Sequence, residues 1–109
     1  MELNETGTID ISKHHKLKVK CFKYYEESLK RNLIIHEDID SKGCSSVSDE
    51  ITGYKLFSMS YPISSLKEVQ VQERMQKFIR HFTLEEIEKA FKRAEKEIEE
   101  KNTNKAKKK

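Results

Sequence analysis

Two cysteines, four histidines and a lysine-studded aromatic stretch are the parts from which chemistry could be built in this 109-residue chain. A thiol acts as a nucleophile or ligand only as the thiolate, a form that positive neighbours favour. Cys21 has Lys20 and Lys23 beside it. Its place in the alternation Lys16-Leu17-Lys18-Val19-Lys20-Cys21 argues otherwise. Leu17, Val19 and Cys21 share the apolar side of a strand, where cysteine serves as a small hydrophobe. The histidines, His14, His15, His36 and His81, show no ligand spacing with one another or with Cys44. A structural metal site needs cysteines or histidines paired a few residues apart. The segment Asp38-x-Asp40-x-Lys42-Gly43 is only faintly like a calcium loop. Lys42 stands where an oxygen ligand is needed, and Asp49 where a bidentate glutamate is needed, so an acidic turn is expected. No phosphate loop, nucleophile elbow, HExxH or CxxC is present. Three separated glycines leave little from which to build a phosphate-cradling backbone. The expectation is a chain without metal, cofactor or catalytic site, not an enzyme.

Binding is the remaining route to function. Lys16, Lys18, Lys20 and Lys23 are interleaved with Phe22, Tyr24 and Tyr25, and Lys13 precedes them. Such a face could hold phosphates and stack bases. A basic tail, Lys105 to Lys109, would add unspecific attraction. A small nucleic-acid-binding protein using this lysine–aromatic strand is therefore the alternative reading. Against it, any half-buried strand must show water a polar face, and lysine is abundant throughout this chain. A helix-turn-helix reading of the C-terminal third fares worse. Its second helix would present Glu85, Glu86 and Glu88 to phosphate.

That C-terminal third is the most regular part of the sequence. Val71, Met75, Phe78 and Phe82 recur at helical spacing, as do Leu84, Ile87, Phe91, Ala94 and Ile98. Thr83 separates the two stripes. It can cap the second helix, with Glu86 completing a capping box and Phe82 stapling onto Ile87. Glu85 and Glu86 suit the positive end of the helix dipole. Each stripe is narrow on a highly charged helix, the pattern of a seam that docks while the rest stays wet. Phe78, Phe82, Ile87, Phe91 and Ile98 are the candidate anchors. Some would hold the core and some would face a protein partner or a second copy.

Upstream, about 15–24, 33–37 and 54–61 read as strands. Phe22, Tyr25 and Leu29 suggest one or two helical turns between the first two, with a direct strand–turn–strand return as the alternative. Residues 36–53, rich in Ser, Asp and Gly, read as a long loop. The expected architecture is α+β. A flexible arm, 1–13, precedes a single domain, 14–101, in which two helices, about 65–81 and 84–101, cover a small antiparallel sheet. A disordered lysine-rich tail, 102–109, follows.

Composition sets the limits. Leu, Ile, Val and Phe number 26, net charge is +3 and 38% of residues are charged, so the core is affordable but lean. No apolar run approaches the roughly 20 residues that span a bilayer, and the first residues lack a signal peptide's basic and apolar segments. Reduced thiols and these absences give a cytoplasmic expectation without membrane contact. Lysine outnumbers arginine 18 to 4, a bias of A·T-rich genomes such as those of low-GC bacteria and their phages, which leaves a phage or mobile-element origin as an expectation about source and not about function. The functional expectation is a non-enzymatic protein-binding regulator or adaptor, acting sterically through its C-terminal helices.

Overall fold

The computed structural model describes residues 3–12 and 15–107 and, of these, the side chains of residues 3–10 and 16–98. Five strands run as a meander, β1 (Glu5–Ser12), β2 (His15–Glu26), β3 (Arg31–Glu37), β4 (Ser45–Asp49) and β5 (Lys55–Met59). Every neighbouring pair is antiparallel, in the order β1-β2-β3-β4-β5. A short 3-10 turn at Ile63–Ser65 leads into α1 (Glu68–Phe82), which is followed by α2 (Leu84–Lys107). The chain is α+β, with the helices after the sheet as their stripes predict.

Alternation along the strands gives the sheet two faces. On one, Leu33, Ile35, Val47 and Met59 pack with Val71 and Met75 of α1 and with Ile87 and Phe91 of α2. This is the main core. On the other, Ile9, Cys21 and Ile34 form a second apolar cluster with Val19. The alternation that set Val19 and Cys21 apart from the lysines is therefore real, and its apolar side lies away from the helices.

The arm expected at 1–13 is instead captured by the sheet over Glu5–Ser12. Thr8-Ile9-Asp10-Ile11 supplies the alternation, and Ile9 is buried. The Asp10 N–H donates to Gly53 O at 3.0 Å, tying β1 to the loop after β4. The sheet is thus rolled, and its helix-free face forms a trough. Glycine is required at this contact. Gly53 has φ +76°, and a Cβ there would stand 2.8 Å from Asp10 N. Gly53→Ala is expected to lower stability by about 1–3 kcal/mol, the usual scale of such backbone strain. Urea unfolding checks this, and an unchanged midpoint would show that β1 is not held there.

The helical turns expected near Phe22, Tyr25 and Leu29 are not formed. β2 runs through Phe22 and Tyr25, and residues 27–30 make a tight turn in which Leu29 N–H donates to Glu26 O. The long loop expected at 36–53 is corrected too. Its middle is β4, a buried inner strand of sequence Ser45-Ser46-Val47-Ser48-Asp49. At the far end, α2 continues to Lys107; Lys108 and Lys109 lie outside the described residues, as do Met1, Glu2, Lys13 and His14.

Candidate functional site: an apolar groove with a basic rim

The polar strand β4 explains what fills the trough. Ser46 Oγ donates to Asp38 Oδ2 at 2.7 Å, and Ser58 Oγ donates to the same oxygen at 3.0 Å. The other oxygen, Oδ1, accepts the Asp40 and Ser41 N–H groups, which makes the acidic turn expected from the sequence. These donors, Ser46 foremost, hold the Asp38 carboxyl down at about 2. His36 lies 2.8 Å from Ser48 Oγ through Nε2 and 2.9 Å from Glu37 O through Nδ1. A carbonyl only accepts, so Nδ1 carries the proton and Nε2 accepts the Ser48 hydroxyl. Burial lowers the pKa of His36 and keeps it neutral. With Lys55 and Asp10 these groups line a hollow of about 180 Å³. Each buried hydroxyl and carboxylate named here is already paired with another, so the network's work is to hold β3, β4 and β5 together. Cys21, just beyond it, is fully buried, and burial pushes its thiol up, away from the reactive form. Among the described residues no group of histidine, cysteine and carboxylates is arranged to hold a metal ion.

This network makes stability pH-dependent with a definite sign. His36 is shifted below its ordinary 6.5, so its stabilising contribution is whole above that pH and is lost as the pH falls. Asp38 is lowered from 3.8 to about 2, so its contribution is lost over that lower interval. Asp49 is lowered as well: its burial opposes ionisation, but Arg31 and Thr52 outweigh it. Urea midpoints are expected to fall in two stages on acidification, and His36→Gln should flatten the first. A midpoint constant from about pH 7 to 5 would show that His36 is not buried and neutral.

The helix face carries the second structure of interest. Between β4 and β5, Val47 pairs with Phe57 but Ser48 pairs with Lys55, so Leu56 is an extra residue. This bulge sets two successive apolar side chains, Leu56 and Phe57, toward the helices. It also turns Lys55 into the trough, where Nζ is 3.8 Å from Asp38. Above Leu56 and Phe57 the turn from α1 to α2 brings a row of rings. Phe57 and Phe78 have centroids 5.4 Å apart, Phe78 and Phe82 5.1 Å, and Phe82 and His81 4.6 Å. The result is a largely apolar groove of about 280 Å³ walled by Leu56, Phe78, Phe82, Ile87 and Ala90, with Tyr54, Lys55 and Glu86 also in its lining. A contiguous hollow shares Leu56, Phe78 and Phe82 and adds Arg74, Lys77 and His81. Among the described residues no carboxylate pairs with Arg74 or Lys77. One flank of the groove is β5, the last strand in the sheet, with no strand paired to its outer edge among the described residues.

The anchors expected from the helical stripes separate into three groups. Ile87 and Phe91 are buried in the main core. Phe78 is half-buried and Phe82 is 44% exposed, both on the groove. Ile98 lies apart, near exposed Ile51. The nucleic-acid candidates are also divided. Lys16, Lys18 and Lys20 are exposed and pair across the sheet with Asp10, Thr8 and Thr6. Tyr24 shares their face but packs against the main core, whereas Tyr25 and Lys23 project from the opposite face. Lys23 pairs with Glu50 at 3.4 Å. The six residues therefore make no single platform of bases and phosphates.

Residue patterning did not single out Leu56 and Phe57 as a pair, because a bulge breaks alternation without leaving a mark in composition. Arg31 and Asp49 were also missed. Arg31 Nε and Nη2 each donate to Asp49 at 2.9 Å, and Nη2 lies 2.6 Å from Glu95. The guanidinium also stands 4.0 Å from the Phe91 ring centroid, clasping α2 to the sheet. The scarcity of arginine in a lysine-rich chain was the available signal, since only arginine forks onto a carboxylate in this way.

No family model, curated protein or solved structure matches the chain. No helix among the described residues is long and apolar enough to cross a membrane.

Proposed function

We propose that this protein is a non-enzymatic, protein-binding regulator or adaptor, of phage or mobile-element origin, that acts in the cytoplasm by steric occupation of its partner. The docking site is the groove between β5 and the α1–α2 elbow, and its occupant is an extended protein segment with apolar residues flanked by carboxylates. One observation carries this reading: an apolar, aromatic-lined groove, with Glu86 as its one carboxylate, is bordered by Arg74 and Lys77, which pair with no carboxylate among the described residues, and by the last strand of the sheet. Such an edge recruits main chain by strand addition, pockets beside it select alternate side chains, and charge sets partner choice and on-rate. On this reading the helices supply the site through Phe78 and Phe82, stripe residues left outside the core, whereas Val71, Met75, Ile87, Phe91 and Ala94 are buried.

Fluorescence anisotropy tests the proposal with labelled synthetic peptides that alternate Leu or Phe with Glu. The expected result is saturable binding that weakens with salt and is lost when Lys replaces Glu in the peptide. Equal affinity for the acidic and basic peptides, or no binding to either, would overturn it.

A further inference from the structure

The break between α1 and α2 is unusual. Thr83 alone joins the two helices, at φ 60° and ψ 151°. That region belongs to glycine, and a β-branched residue occupies it only under strain. Yet no glycine or proline follows Pro62 in the chain, so no helix-breaking residue enforces the elbow. Locally it is supported by a 3.3 Å bond from Glu86 N–H to Thr83 Oγ1 and a 3.1 Å bond from Ile87 N–H to Thr83 O. The competing local structure is one continuous helix, in which Thr83 would take ordinary helical angles.

The stripes show what straightening would do. A residue advances about 100° around an α-helix. In a continuous helix Val71, Met75, Phe78 and Phe82 would therefore gather on one side, and Ile87, Phe91, Ala94 and Ile98 on nearly the opposite side, about 160° away. With α1 kept on its own sheet, the α2 stripe would point away from that sheet. Leu33, Ile35 and Val47 would lose cover, and Arg31 would lose Glu95 and the Phe91 ring. The surface that fits an extended α2 is the vacated site on a second copy of this chain, because that site is already complementary to it.

We infer that this chain exchanges α2 between two copies, straightening at Thr83 to form a domain-swapped dimer. Each sheet is then covered by its own α1 and its partner's α2. The same contacts form as in the monomer, and the strain at two elbows is released. Exchange of an identical element through a short, strained hinge is a low-cost route to a dimer. In the dimer the elbow opens, while the groove walls from β5 and α1 stay on one chain and those from α2 come from its partner, so peptide binding and exchange can each fail without the other.

Light scattering after size exclusion, at rising protein concentration, tests the inference. The wild type should show a concentration-dependent dimer that is slow to dissociate, since α2 must leave one sheet before joining another. Thr83→Gly relieves the elbow and disfavours the straight helix. It should lower the dimer association constant about tenfold per hinge, equivalent to about 1.4 kcal/mol each. Thr83→Ala is as strained as threonine at this elbow, lacks the cap and favours helix, so it should raise the constant. Isotope-filtered NOE spectra of dimers mixed from differently labelled chains then identify the arrangement. Contacts from Ile87 and Phe91 to the sheet residues of their core should cross between chains. Wild type and Thr83→Ala both monomeric at every concentration would overturn the inference, as would a dimer whose α2–sheet contacts all lie within one chain.

Discussion

Replacing Arg31 with methionine is expected to cost about 3–5 kcal/mol of stability, the usual penalty for stranding one member of a buried ion pair. That is a large share of the roughly 5–15 kcal/mol that holds a domain of this kind together. Asp49 is fully buried and would lose both guanidinium bonds, retaining only those from the Thr52 N–H and hydroxyl. Methionine fills the volume and can still touch Phe91, so the loss measures the charge more than a cavity. Two further results should accompany it. Arg31→Met should recover stability relative to the wild type as the pH is lowered, because its stranded carboxylate can then take up a proton. The double variant Arg31→Met, Asp49→Leu should regain part of the loss, because neither charge is left unpaired, although the buried Thr52 N–H and hydroxyl lose their carboxylate acceptor. Urea denaturation of the three proteins measures all of this. Equal midpoints for the wild type and Arg31→Met would show that the clasp between sheet and α2 contributes nothing.

Phe82→Asp is expected to weaken binding of the Glu-alternating peptide by about thirtyfold to several hundredfold while leaving the far-ultraviolet circular dichroism unchanged. A central aromatic anchor carries about 2–4 kcal/mol of binding energy, and each 1.4 kcal/mol is a factor of ten. Phe82 is the last residue of α1 and is 44% exposed, so the fold loses little when it is replaced. Aspartate there also faces a peptide of like charge. Phe91→Asp, by contrast, puts a carboxylate among the buried core residues of the main cluster and should unfold the chain. The pair therefore separates the groove part of the stripes from the core part. Phe82→Asp binding the peptide as well as the wild type would remove the groove from consideration.

The difference between those two phenylalanines is also the boundary of what the sequence reveals. Periodicity placed both helices, and the Thr83–Glu86 pair placed the break between them, because a helix writes its buried face at a spacing that no strand shares. Three strands were legible for the same reason. β4 was not, because Ser45, Ser46, Ser48 and Asp49 are turn formers by composition. All but Ser45 are held in the strand by side-chain partners far along the chain: Ser58 and Asp38 for Ser46, His36 for Ser48, and Arg31 for Asp49. Polar pairing leaves no period to read. Phe82 and Phe78 were legible as apolar, but which of the stripe residues stay open depends on where the sheet ends. That is set by the bulge at Leu56 and by the rolling of β1 onto Gly53, both of them tertiary events.

Chemical-shift mapping tests the groove most directly. Uniformly labelled protein is titrated with the Glu-alternating peptide, and amide and side-chain resonances are followed. The perturbed residues should be Leu56, Phe57, Arg74, Lys77, Phe78 and Phe82, with new protection against exchange along the outer edge of β5. Perturbation centred instead on Lys16, Lys18 and Lys20, or scattered without a focus, would contradict the assignment of the groove as the docking site.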